Sequence, residues 1–187
     1  MFTSVDPLWT ASTGSSPTKL ESSPAVVKGV VYIGANSKLW AFPASCGTGG
    51  ATCSPLWTGA IDSGSRFSSP AVANGVVYIG SWAFPAGCGA PTCAPLWDGV
   101  MGDADLSSPA VANGVVYVGS TDDKLFAFPV KCGTGGALCG SLTGRMSQTD
   151  GPIESSPTVA NGFVYVGSND GKLYAYSAPV VAPGAVR

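Results

Sequence analysis

The chain has 187 residues, of which only 11% are charged, and a formal net charge of −2. That composition offers no basic footprint for displacing counterions from phosphates, which argues against a nucleic-acid binder. No apolar stretch approaches the roughly 18–20 residues that span a bilayer as a helix, and the 26 glycines and 15 prolines fall between apolar runs, where they punctuate turns instead of marking disorder.

In chain order, Met1 to Asp6 lacks the basic start and apolar core of a signal peptide, so any export signal has been removed or lies outside this sequence. Pro7-Leu8-Trp9-Thr10 matches Pro55-Leu56-Trp57-Thr58 and reads as an outer strand placed before the first repeat. From Ser22 onward the chain repeats itself. Copies begin at Ser22, Ser68, Ser107 and Ser155, at spacings of 46, 39 and 48 residues. Each reads Ser-Ser-Pro, a small or apolar run, a turn, then an apolar run ending in Tyr-(Ile/Val)-Gly. A period of this length signals a repeat architecture.

The third copy gives the pattern most fully. Pro109 to Ala112 is a short strand, and Asn113-Gly114 is a strong two-residue hairpin signal because both residues tolerate positive φ. Val115 to Val118 is a continuous apolar run, as expected of a strand covered on both faces. Thr121-Asp122-Asp123 turns the chain into a third strand, Lys124 to Phe128. Outer strands carry Leu56-Trp57 and Leu96-Trp97; the third connection has Ser141-Leu142-Thr143, without the Trp. The second copy is shortened between Gly80 and Ala83: either Gly80-Ser81 serves as a tight turn between abbreviated strands, or the sequence is incompletely determined there. The fourth stops after its third strand at Leu173 to Tyr176. No segment has a sustained helical period with caps, so essentially no helix is expected.

Six cysteines fall in the first three copies as Cys46/Cys53, Cys88/Cys93 and Cys132/Cys139, each pair flanking a Gly-rich loop. The spacings are wider than zinc knuckles need. Local disulfides are the preferred reading, each stabilising by about 2 kcal/mol in the chain-entropy model. Three of them imply an oxidising compartment, so an extracytoplasmic protein (periplasmic, cell-surface or secreted) is expected.

Val116-Tyr117-Val118-Gly119-Ser120 followed by Asp123 to Phe128, and Ser168 to Tyr176 still more closely, resemble the repeat of the quinoprotein dehydrogenase-like (PQQ-like) β-propeller superfamily. The resemblance spans nearly all of residues 7–177. It implies an all-β propeller of four four-stranded antiparallel blades. Trp9, Trp57 and Trp97 would dock blade on blade, and the N-terminal strand would complete the last blade. The alternative is half of an eight-bladed ring formed by a dimer. Domain organisation follows: one domain over 1–177, with repeats at about 22–67, 68–106, 107–154 and 155–177 plus 7–10, then a tail at 178–187. The superfamily is specific for fold and unspecific for activity.

The chain contains no histidine, which removes the commonest general base and any Ser-His-Asp triad. Quinone chemistry would need a Ca²⁺ site of spaced oxygen ligands and a catalytic Asp, and the superfamily's adjacent-cysteine disulfide has no counterpart here. The Asp-containing turns at Asp122-Asp123 and Asn169-Asp170-Gly171 read as structural turns. No catalytic, cofactor or metal residue is therefore assigned. Copies differ most just before each Ser-Ser-Pro, and connections there converge on one face of a propeller. Glu21, Arg66, Phe67, Asp105 and Glu154 are the partner-binding candidates, set against the reading that they are ordinary solvated loop residues. The expected function is a non-enzymatic structural or protein-interaction module that binds a protein partner or itself, with a subunit of a cell-surface assembly as one form of it. A glycan-binding propeller is the alternative, and a PQQ-dependent oxidoreductase fragment ranks third.

Overall fold

The computed structural model describes residues 6–14, 20–101, 106–142 and 147–179, apart from the Arg66 side chain. Its only helical element among these is a single 3-10 turn, Ser65–Phe67. All else is strand and turn.

Strand β1 (Trp9–Ala11) comes first. The first repeat supplies β2 (Ala25–Val27), β3 (Val30–Ala35), β4 (Lys38–Pro43), β5 (Ala51–Cys53) and β6 (Trp57–Ala60). The second supplies β7 (Ala71–Ala73), β8 (Val76–Ile79), β9 (Trp82–Pro85), β10 (Thr92–Cys93) and β11 (Trp97–Gly99). The third gives β12 (Ala110–Ala112), β13 (Val115–Gly119), β14 (Lys124–Pro129), β15 (Ala137–Cys139) and β16 (Ser147–Gln148). The fourth gives β17 (Thr158–Ala160), β18 (Phe163–Gly167) and β19 (Leu173–Ser177).

These strands form sheet I (β10-β6-β4-β3-β2), sheet II (β15-β11-β9-β8-β7), sheet III (β12-β13-β14-β16), sheet IV (β17-β18-β19) and a separate β1-β5 pair. The first hairpin of every sheet turns on two residues with positive φ: Lys28-Gly29, Asn74-Gly75, Asn113-Gly114 and Asn161-Gly162. Mirror-image turns of this kind match the twist of the flanking strands. In sheet II, Ile79 pairs directly with Trp82, so Gly80-Ser81 is a two-residue turn and β8 and β9 are four residues each. The shortened second copy thus keeps its place by trimming two strands.

Alternation along the strands gives each sheet two apolar faces. One carries the Tyr of Tyr-x-Gly; the other carries the Phe two residues before the strand-end turn. The Tyr face of sheet I (Tyr32, Leu39, Ala41, with Trp57) packs on the Phe face of sheet II (Val77, Ile79, Phe84). Sheet II meets sheet III in the same way through Tyr78, Ala83 and Trp97 against Val116, Val118 and Phe128. Sheet III meets sheet IV through Tyr117, Leu125 and Ala127 against Val164 and Val166. Strand β13 is buried along its whole length, as its uninterrupted apolar sequence requires.

The cysteine loops contain a feature that the sequence does not advertise. Their short strands β5, β10 and β15 pair in parallel with the outer strand before them, β1, β6 and β11 respectively. Each loop is therefore a clasp from one repeat onto the outer edge of the previous one. The third outer strand also differs from expectation. Leu142 N–H donates to Ala127 O as Leu56 donates to Ala41 O and Leu96 to Ala83 O. Among the described residues the strand's pairing with β14 is at Ser147–Gln148, and residues 143–146, Thr143 among them, lie outside the described residues.

Among the described residues the sheets form an open series with no ring closure: the N-terminal strand β1 pairs with β5, β19 has β18 as its strand partner, and no sheet lies against the outer faces of sheets I and IV.

Candidate interaction rim

The Ser-Ser-Pro corners set the geometry of one end of the molecule. The first serine of each corner accepts the backbone N–H of the Tyr-x-Gly glycine: Gly34 to Ser22 Oγ at 2.9 Å, Gly80 to Ser68 at 2.9 Å, Gly119 to Ser107 at 2.7 Å and Gly167 to Ser155 at 2.8 Å. The second serine reaches back across the sheet junction. Ser23 N–H donates to Ser69 Oγ, Ser69 N–H to Ser108 Oγ and Ser108 N–H to Ser156 Oγ. Seven of these eight serine hydroxyls therefore accept a backbone N–H, and Ser23 joins the ladder through its backbone N–H alone.

This ladder sets the corners side by side, next to the turns that follow β3, β8, β13 and β18. The connections between repeats return over those turns: Ile61 N–H donates to Ser37 O, Ile153 N–H to Ser120 O and Asn169 N–H to Pro152 O. Glu21 and Glu154 are exposed on this rim, one residue before their Ser-Ser-Pro, and Phe67 is half-buried in the 3-10 turn. Arg66 belongs to that turn by its backbone, and its side chain lies outside the described residues. Asp105 also lies outside them.

Sorting the charged residues by end reveals what the sequence order hides. Glu21, Asp62, Asp98, Asp122, Asp123, Asp150, Glu154 and Asp170 all belong to this rim, against the described lysines Lys38, Lys124 and Lys172. Two of those lysines are already engaged. Lys124 pairs with Asp122 at 2.6 Å, and Lys172 with Asp150 at 2.6 Å and Asp170 at 3.4 Å. The opposite end, with the hairpin turns and cysteine loops, holds Lys28 and Lys131, and Asp6 lies two residues before Leu8, whose carbonyl accepts the Gly50 N–H of the first cysteine loop.

Two local groups on the rim have distinct electrostatics. Asp62 joins sheets I and II, accepting the Trp82 Nε1–H at 3.1 Å and the Ser65 N–H at 2.7 Å. Nearby Asp98 accepts from Ser81 Oγ at 3.2 Å. Partial burial raises its carboxyl pKa above the usual value, opposed by the Ser81 bond and assisted by the Asp62 charge. On sheet IV, Asp170 accepts a short hydrogen bond from the Tyr174 hydroxyl and a 2.9 Å bond from the Lys172 N–H. Those bonds, the Tyr174 one foremost, pull its pKa down to about 2. The same partnership raises Tyr174, and the Asp150 and Asp170 carboxylates raise Lys172. The turn around Asp170 was legible in the sequence; its partner Asp150, twenty residues away, was not.

At the opposite end the repeated tyrosines reach backbone carbonyls of the following repeat. Tyr32 Oη donates to Ala86 O at 2.9 Å and Tyr78 Oη to Val130 O at 3.5 Å. Burial pushes Tyr78 up to about 12 and raises Tyr32 and Tyr117 as well. Tyr117 Oη is buried with no hydrogen-bond partner among the described residues. A cleft of about 560 Å³ opens here between sheets I and II, lined by Val27, Val30, Tyr32, Val72 and Ala86 together with the Lys28 and Asn74-Gly75 turns. It brings no acid, base or nucleophile pair together. Trp57 and Trp97 are 2% and 1% exposed, so neither indole is available to stack on a sugar ring.

All three cysteine pairs form the local disulfides expected, with Cα–Cα separations of 5.8, 5.9 and 5.7 Å for Cys46–Cys53, Cys88–Cys93 and Cys132–Cys139. No group of three or more potential metal ligands occurs among the described residues. None of their helices is long and apolar enough to cross a membrane.

The chain matches no protein-family model and no curated protein sequence. Solved structures do match. A computationally designed protein, Ika4, is similar at 15% identity and a TM-score of 0.62, over 94% of this chain and 100% of that one. BamB from Moraxella catarrhalis is similar at 18% identity and TM-score 0.56, over 91% of this chain and 49% of its own. The designed protein Ika8 gives 13% and 0.58, over 89% of this chain and 48% of its own. The chain therefore spans about half the length of two of these structures. At such identities the likeness concerns fold alone, and the fold is propeller-like, all-β and held by three disulfides.

Proposed function

We propose that this chain is a non-enzymatic, extracytoplasmic propeller module whose acidic rim docks a protein partner bearing a basic surface. The charge segregation carries this reading. Eight described carboxylates crowd one end of a chain that is otherwise poor in charge, and two of the three described rim lysines are tied to aspartates. A predominantly acidic rim on a low-charge body steers a complementary partner and fixes its orientation. Three disulfides favour an oxidising compartment. The PQQ-like repeat and the blade count of four belong to this reading, supported by the repeat strings and by the four successive sheets. Absence of histidine and of an assembled acid–base pair favours binding over catalysis.

A photo-crosslinking amino acid at Glu21 or Glu154, compared with one at Lys131 on the far end, tests the rim. Rim probes should capture a partner in the extracytoplasmic fraction, and capture should fade with added salt and with Asp62→Lys. Equal capture from both ends, or salt-independent capture, overturns the assignment. Quinone-stimulated dye reduction in the presence of Ca²⁺ tests the non-enzymatic part, since sustained turnover would refute it.

A further inference from the structure

The two ends of the sheet series are unfinished in complementary ways. Sheet IV stops at β19, where Leu173 is 75% exposed and Ala175 and Ser177 are exposed, with Phe163 44% exposed on the same face. The counterparts Leu39 and Ala41 in sheet I are 0% exposed. At the other end, β1 is an outer strand without a sheet. β5 pairs with it as β10 pairs with β6, and Trp9 Nε1 donates to Ala44 O at 3.1 Å as Trp97 Nε1 donates to Val130 O at 3.4 Å. Strand β1 lacks only the antiparallel partner that β4 gives β6 and β9 gives β11. Ala41 faces Trp57 and Ala83 faces Trp97 in those pairs. The same register on β19 sets Trp9 opposite Ala175 and Ala11 opposite Leu173. The Phe face of sheet I, where Val26 is 61% exposed and Val31, Ile33 and Trp40 are half-buried beside a buried Phe42, has no sheet against it among the described residues, and it matches the open Tyr face of sheet IV.

We infer that a second copy of this chain fills both gaps: two chains join head to tail at two equivalent junctions, each β1 adding to the partner's β19, and close one ring. Two observations favour a second copy over the chain's own other end. Strands β1 and β19 are both formed, yet they do not pair with each other. The serine ladder runs from Ser23 to Ser156, with no bond from Ser156 back to Ser23 among the described residues. Twofold closure covers both terminal sheet faces and gives the outer edge of β19 a partner strand, which lowers the aggregation hazard of an open series. This inference stands apart from the rim reading, because the junction uses sheet faces and not the rim.

Light scattering on the size-fractionated, oxidised chain should give twice the single-chain mass of 18.7 kDa. Ala175→Pro tests the strand addition itself. Its counterparts Ala41 and Ala127 point their carbonyls at the outer strand, so the Ala175 N–H faces outward and its loss leaves sheet IV's own pairing intact. The variant should retain the far-ultraviolet spectrum of the parent and fall to single-chain mass. In the second arm, Ala11→Cys and Leu173→Cys single variants are mixed and mildly oxidised. They should yield a cross-linked species of twice the chain mass, and Ala11→Cys mixed with Phe163→Cys should not. A parent of single-chain mass, an open polymer series, or a cross-link that forms only within one Ala11→Cys/Leu173→Cys double-variant chain overturns the proposal.

Discussion

Ser23 and Ser69, 46 residues apart, meet across the junction of sheets I and II, where the Ser23 N–H donates to the Ser69 hydroxyl at 2.8 Å. The neighbouring Ser68 hydroxyl turns inward and accepts the Gly80 N–H of its own sheet. Adjacent serines thus divide the work: one closes a sheet and the other rivets it to the sheet before.

That division predicts unequal costs for serine deletion. Ser68 and Ser107 are 0% and 1% exposed, so removing either hydroxyl leaves a buried glycine N–H without an acceptor. An unsatisfied buried donor costs about 1–3 kcal/mol. Ser155 makes the same bond in sheet IV but is exposed, so water can replace it. Ser68→Ala and Ser107→Ala should lower the denaturation midpoint clearly, and Ser155→Ala should lower it much less.

Close sheet packing predicts a second contrast. A Cβ on Gly99 would sit 2.7 Å from Phe128, and one on Gly59 would sit 2.4 Å from Phe84. Both rings are fully buried, so neither can swing aside. Gly59→Ala and Gly99→Ala should each cost about 1–3 kcal/mol through overpacking. Gly87→Ala, with nothing within 4 Å, should be close to neutral in the same denaturant titration.

The sequence was most legible where its signals are local. Asn113-Gly114 and its counterparts announce their hairpins, and Cys46 and Cys53 are close enough in sequence to name each other. The Val115–Val118 run announces a doubly covered strand. Pairings between repeats were not legible. Thr92 opposite Thr58 joins a two-residue strand in a Gly-rich loop to an outer strand of the previous repeat, and neither segment carries a pattern that selects that register. The acidic rim was hidden for a related reason. Asp62, Asp98 and Asp150 are scattered along the chain and assemble only when successive connections return to one end. Glu21, Phe67 and Glu154 lie on that rim beside aspartates that no local sequence pattern groups with them.

Asp170 makes stability depend on acid. Its folded pKa of about 2 lies below the ordinary carboxylate value of ~3.9, so the unfolded chain binds its proton first as pH falls. The contribution is therefore fully present above the ordinary value and is lost as pH falls toward about 2. Asp170→Asn should flatten the fall in melting temperature across that window and leave the neutral-pH slope unchanged. A titration curve parallel to that of the parent would count against the Tyr174–Asp170 bond.

The cysteine clasps predict local and not global effects of disulfide removal. Among the described residues, β5 is the only strand partner of β1, and β5 ends at Cys53. Replacing Cys46 and Cys53 with serine frees that segment, at about 2 kcal/mol in the loop-entropy model. Amide hydrogens of Thr10 to Ala11 and Ala51 to Cys53 should then lose protection together in hydrogen exchange, and Trp9 fluorescence should shift toward that of a solvated indole. Replacing Cys132 and Cys139 should instead expose the β11–β15 pairing at Trp97 to Gly99 and leave β1 protected. If both replacements loosen the same strands, the clasps do not act one junction at a time, and the parallel pairings would have to be secondary to the sheet-on-sheet packing that surrounds them.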